Sequence, residues 1–116
     1  MNEQWHSITD IKCNSGKLIS ANAVAPKSSP WFSGHFPEEP ILPGIAQLSM
    51  VFEIIKECNN KKDLLIKSLK KIKFKSIIRP EELLNISVTL NEKSDNIYSF
   101  KIISNDNIVC TGQMTV

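Results

Sequence analysis

The residues of this 116-residue chain that could do chemistry gather between Ser33 and Glu53, where Ser33-Gly34-His35-Phe36-Pro37 leads through Pro40-Ile41-Leu42-Pro43-Gly44 into an apolar stretch. His35 carries the clearest signal, because an imidazole has an unperturbed pKa of about 6.5 and exchanges protons at neutral pH. Pro37, Pro40 and Pro43 each fix φ at about −65° and restrict the residue before them, which gives His35 the stiff setting that a positioned proton acceptor needs. Pro43 suits the start of a helix. Gly44 behind it leaves a backbone N–H open to a second molecule at the positive end of the helix dipole. A lone loop histidine is more often a surface residue, and a glycine at a helix start can serve packing alone. The density of proline around the pair is what favours chemistry.

Positioning these groups requires a scaffold, and the apolar pattern supplies one. Ile45, Ala46, Leu48, Met50, Val51, Phe52, Ile54 and Ile55 leave almost no polar face, which predicts a helix from about Gly44 to Cys58 that is buried on most sides. Such a helix needs a sheet around it. A strand is expected near Lys17 to Val24. Alternation of Leu69, Lys71, Lys73 and Lys75 against Ile72 and Phe74, then Ile86, Val88 and Leu90, then Tyr98, Phe100 and Ile102, predicts antiparallel strands with one face inward. Ser94-Asp95-Asn96 and Asn105-Asp106-Asn107 read as hairpin turns. With 41% hydrophobic residues and no linker, repeat or low-complexity tract, residues 1–116 are expected to form one α+β domain around a single core. Edge strands and apolar surface on so small a unit favour pairing with a second copy.

Charge is nearly balanced, with 14 Lys and Arg against 12 Asp and Glu for a net charge of +2. Its distribution says more than its sum. Lys67, Lys70, Lys71, Lys73 and Lys75 crowd one segment with Arg79 close behind, a pattern that fits either an acidic partner or a solvated strand face. No aromatic platform or binding motif accompanies the lysines, which argues against nucleic acid. Cys13, Cys58 and Cys110 are odd in number and widely spaced, so they read as small core residues of a reducing compartment rather than a disulfide framework or metal site. His6, beside Trp5, is the other histidine of two, too few for a His-rich metal cluster. The polar N-terminus shows no signal peptide and no apolar run reaches membrane-spanning length. A cytoplasmic protein is therefore expected.

The segment His35-Phe36-Pro37 followed by Pro40-Ile41-Leu42-Pro43-Gly44 resembles the hot-dog-fold β-hydroxyacyl-acyl carrier protein dehydratases at matching spacing. Lys73-Phe74-Lys75 with Ile78 and Pro80, and then Leu83 to Leu90, are similar to that family's basic strand, proline turn and following strand, so nearly the whole chain is covered. Ala46-Gln47-Leu48 is most similar to relatives that serve aryl polyene and other specialised pathways. The resemblance implies an antiparallel sheet wrapped around one long buried helix. It also implies elimination of water from a 3-hydroxyacyl thioester, with no cofactor beyond the phosphopantetheine of the acyl carrier protein that delivers the substrate.

Within that likeness His35 is the expected base for the α-proton and the Gly44 N–H the expected donor to the thioester oxygen, with Pro43 and Phe36 as further expected substrate-binding residues. The family's general acid is an Asp or Glu at the position that here holds Ser49. A hydroxyl titrates far above neutrality, and losing a general acid costs roughly 100-fold to 10,000-fold. Glu53 stands one helical turn later on the same face and is the expected substitute; burial in an apolar helix would raise its pKa as a proton donor requires. Ser49 would orient a water or hydrogen-bond the leaving hydroxyl. Lys70, Lys71, Lys73, Lys75 and Arg79 are the expected surface for acyl carrier protein. The family pairs subunits so that histidine and acid come from different chains. A homodimer, or a heterodimer in which an active homologue supplies the carboxylate to a catalytically impaired subunit, follows as an alternative. A thioesterase in which Glu53 activates water is a third reading, against which the His-Phe-Pro segment speaks. Trp31, Phe32 and Phe52 are candidates for an acyl tunnel or for plain core packing.

Overall fold

The computed structural model describes residues 5–14, 17–33, 40–61 and 63–116. Among them, six strands form one sheet: β1 (Ser7–Asn14), β2 (Leu18–Val24), β3 (Ser68–Phe74), β4 (Leu84–Leu90), β5 (Ile97–Ser104) and β6 (Asn107–Thr115). They lie in the order β1-β2-β4-β5-β6-β3, and every neighbouring pair is antiparallel. A single α-helix, α1 (Gly44–Asn59), packs against β1, β2 and β4, and a short 3-10 turn spans Pro30–Phe32. This is the expected hot-dog arrangement.

The central strands follow from alternation. Ile19, Ala21 and Ala23 of β2, Leu84, Ile86 and Val88 of β4, and Tyr98, Phe100 and Ile102 of β5 all point inward and are buried. They meet Ala46, Met50, Val51, Ile54 and Ile55 of α1 in one core. The strand expected near Lys17 to Val24 is β2, and the helix expected to Cys58 runs one residue further. Asn60 ends it in the left-handed region at φ 54°, its N–H returning to the Lys56 carbonyl, while Lys56 places a cation in the last turn. Asn105 and Asp106, at φ 52° and 64°, make the tight turn between β5 and β6. Asn and Asp tolerate that conformation best after glycine.

Four expectations need correction. First, the helix is not buried on most sides: its residues facing β1, β2 and β4 are enclosed, whereas Ile45 is 68% exposed and Glu53 lies open on the other face. A single sheet can cover only one side of a helix, whatever the composition of the other. Second, the alternation in β3 does not persist. Lys71 sits at φ 57° in a bulge that sets Lys71 and Ile72 opposite Gly112, and Leu69 and Phe74 end up exposed. Third, β1 is an additional strand, whose pattern is broken by a bulge at Asp10 (φ 54°). Fourth, Cys13 of β1 and Cys58 of the last turn of α1 form a disulfide with their Cα atoms 5.6 Å apart. Packing of α1 across β1 brings together two cysteines that are 45 residues apart, which no sequence spacing announces. Cys110 remains a buried free thiol, as expected.

Candidate active site

The site is built at the N-terminus of α1. Pro43 is the N-cap at φ −68° and ψ 157°, and no side chain caps the helix. The Pro43 carbonyl accepts from the amides of Ala46 and Gln47, which leaves the N–H groups of Gly44 and Ile45 without an acceptor among the described residues. Two aligned donors at the positive end of a sixteen-residue helix suit a developing oxyanion. The approach to them is fixed. Leu42 N–H bonds the Ile78 carbonyl at 2.7 Å, and the buried Gln47 side chain donates to the Leu42 carbonyl at 3.4 Å.

Gly44 is dictated by its neighbour on β3. A Cβ at this position would stand 2.6 Å from the Cζ of Phe74, so only glycine lets that ring lie against the helix start. Phe74 is itself 50% exposed and is flanked in sequence by Lys73 and Lys75. The basic strand therefore borders the open amides. Lys70, Lys71, Lys73, Lys75 and Arg79 are all exposed, and Lys71 and Lys73 share an open cleft of about 320 Å³ with Ser99, Thr111 and Gln113.

Ser49 and Glu53 lie further along α1, Ser49 partly covered and Glu53 exposed. The burial expected for Glu53 is not found, since its side chain is 57% exposed in a chain whose sheet covers the opposite helix face. Its Oε1 accepts from Nε2 of His6 at 3.1 Å, and it borders a cleft of about 220 Å³ with Lys56, Glu57, Asn60 and Lys61. At about 1.5 Å of rise per residue, Glu53 stands about 13 Å along the helix axis from Gly44. The carbonyl and hydroxyl carbons of a 3-hydroxyacyl group are only two bonds apart, so Gly44 and Glu53 of the same chain do not converge on one substrate.

His35 and Phe36 lie outside the described residues. The structure thus brings Pro43, Gly44 and the basic strand together, sets Ser49 and Glu53 on one helix face, and adds one residue beside Glu53 that was not expected there, His6, whose ring meets Trp31. The sequence hint of His6 was its place beside Trp5 near the N-terminus. Trp31 and Phe32 are partly buried against the core cluster, as is Phe52. Among the described residues no three His, Cys, Asp or Glu side chains gather as a metal site, and no helix is long and apolar enough to cross a membrane.

Comparison with known proteins meets this geometry at the level of sequence and of fold. The 3-hydroxyacyl-[acyl-carrier-protein] dehydratase FabZ of Wolbachia pipientis is 30% identical over 100 residues, covering 81% of this chain and 70% of the relative. The dehydratase of the same name from Caldicellulosiruptor bescii is 27% identical over 112 residues, covering 90% and 80%. In three dimensions the chain is similar to the dehydratase heterocomplex ApeI:P from Xenorhabdus doucetiae, with a TM-score of 0.80, 21% identity and coverage of 94% and 95%. A putative thioesterase, yhdA from Lactococcus lactis, shares the fold at a TM-score of 0.67 and 16% identity, covering 92% and 88%. The family of ApeI-like proteins, described as ApeI dehydratase, matches residues 11–113. Since that match runs from within β1 to within β6 and takes in the whole of α1, the chain belongs to the ApeI-like dehydratase family.

Proposed function

We propose that this protein is a 3-hydroxyacyl-acyl carrier protein dehydratase that eliminates water from a 3-hydroxyacyl thioester to give the trans-2-enoyl thioester, in fatty acid or polyene synthesis. Family membership across residues 11–113 supports the reaction class, and the uncapped start of α1 is the feature that carries the mechanism. The Gly44 N–H holds the thioester oxygen, which raises the acidity of the α-carbon as charge moves onto that oxygen. His35 removes the α-proton. Glu53 protonates the departing hydroxyl, with Ser49 placed between them to bind that hydroxyl or a water.

The axial gap between Gly44 and Glu53 requires the acid to come from a second subunit, whose helix presents its open face to the first. Ile45, Glu53 and the exposed edge strand β3 supply the unpaired surface for such an assembly. Lys70, Lys71, Lys73, Lys75 and Arg79 receive the acyl carrier protein, whose phosphopantetheine passes Phe74 to reach Gly44. No cofactor takes part beyond that arm. A cytoplasmic location belongs to this proposal through the reaction class alone, because the Cys13–Cys58 bond removes the cysteine argument for a reducing compartment.

Ser49 favours a second reading. A chain lacking the family's carboxylate at this position would serve as the histidine-donating half of a heterodimer, and a dehydratase heterocomplex has a similar fold. The test is incubation of the pure protein with a 3-hydroxyacyl carrier protein, alone and with a carboxylate-bearing homologue, with mass spectrometry of the acyl group. Water loss by the pure protein supports the homodimer; water loss only in the mixture supports the half-site; release of a free acid defeats both.

A further inference from the structure

We propose that His6 is a positioning residue for Glu53, and that Trp31 sets the tautomer in which it works. The side chain of His6 is only 10% exposed, although it lies near the start of the chain. Its Nδ1 accepts from the indole Nε1–H of Trp31 at 3.2 Å, and its Nε2 meets Glu53 Oε1 at 3.1 Å. An indole nitrogen can only donate, so Nδ1 is the acceptor and the proton of the neutral ring resides on Nε2. That proton is donated to Glu53. The two rings lie nearly parallel, at 13° with centroids 6.4 Å apart.

The support behind His6 is itself fixed at several points. Ser29, buried at the cap of the 3-10 turn, accepts from the Trp31 amide at 3.1 Å and donates its hydroxyl to the Trp5 carbonyl at 2.6 Å. The Trp5 ring meets Trp31 edge-on, with centroids 4.6 Å apart. Trp5 and His6 are thereby clamped to the 3-10 turn before β1 begins. An otherwise exposed glutamate thus has one oxygen held by a rigid donor. Its Oε2 has no such partner among the described residues, so in the proposed reaction it is the oxygen that carries and delivers the proton. An unrestrained glutamate would distribute over rotamers, and a misplacement of about 1 Å can cost on the order of 100-fold in rate.

This inference rests on the assignment of Glu53 as the acid, and the experiment separates the two. Imidazole 15N spectra of the labelled full chain report the tautomer directly, and steady-state turnover of a 3-hydroxyacyl carrier protein is measured for His6→Gln, His6→Asn, Trp31→Phe and Glu53→Gln. Glutamine places an amide donor where Nε2 stood, whereas asparagine reaches only the Nδ1 position. The expected result is a single Nε2–H tautomer for His6 that becomes mixed in Trp31→Phe. With it, kcat should fall at least tenfold in His6→Asn at unchanged KM, and His6→Gln should recover most of that loss. Equal losses in the two His6 variants, or a mixed tautomer in the parent protein, with Glu53→Gln still inactive, would overturn the positioning role alone. Full turnover by Glu53→Gln would overturn the acid assignment, and the positioning role with it.

Discussion

Glu53 carries the proposed acid chemistry one helical turn beyond Ser49, and its replacement is the sharpest test at the residue scale. Glu53→Gln keeps the acceptor for His6 and removes only the transferable proton, so kcat should fall by roughly 100-fold to 10,000-fold while the fold is unchanged. Adding Ser49→Glu to that variant restores a carboxyl one turn earlier on the same face, and at least tenfold of the lost turnover should return in the same assay. A second prediction concerns Cys110. Burial pushes its thiol from 9.0 up to about 11, so the thiolate that reacts with iodoacetamide is scarce in the native protein. Peptide mapping at about pH 8 should find Cys110 unlabelled when folded and labelled in denaturant. Because its folded pKa exceeds the unfolded one, the stability linked to this proton is intact below 9.0 and lost as pH rises toward 11. The helix start at Pro43 and Gly44 could be read from the sequence because its signal is local. His6 could not, since its role depends on Trp31 and Glu53, which only the fold brings to it.

Among the elements, β3 departs furthest from its sequence pattern, and the reason lies on its partner. The bulge at Lys71 and Ile72 faces Gly112 of β6, where a Cβ would collide with Ile72 Cδ1 and stand 2.8 Å from Phe100 Cζ. Gly112→Ala should therefore destabilise the protein by about 1–3 kcal/mol, as overpacking does, measured as a lower urea midpoint at unchanged slope. The bulge turns Lys71 off the regular pleat, so alternation predicted a strand here but not which side chains it would bury. β2, β4 and β5 were legible because both neighbours and the helix enforce their inward faces. β1, at the sheet edge and bulged at Asp10, offered no such periodicity. Helix α1 was legible in its span and not in its burial. Hydrophobic composition does not tell which side of a helix its sheet covers, and here Ile45 is left 68% exposed.

For the whole molecule, the open face of α1 and the uncovered edge strand β3 offer a surface to a second subunit, which the proposed roles of Gly44 and Glu53 call for. Within each chain, the Cys13–Cys58 bond ties β1 to the end of α1 across 45 residues of sequence. Loop-closure entropy for that span amounts to about 4 kcal/mol, so reduction should lower the free energy of unfolding by up to this amount, read by urea melts with and without a phosphine reductant. Spacing alone could not reveal the bond, because the pairing is a product of helix-on-sheet packing. The proposed dehydration is tested most directly by giving the purified, unmodified protein a 3-hydroxyacyl carrier protein and weighing the acyl group by mass spectrometry. Loss of one water, reversed when the enoyl carrier protein is supplied instead and abolished in His35→Ala, is the predicted result. An unchanged acyl group both alone and with a carboxylate-bearing homologue, or release of the free acid, would contradict it.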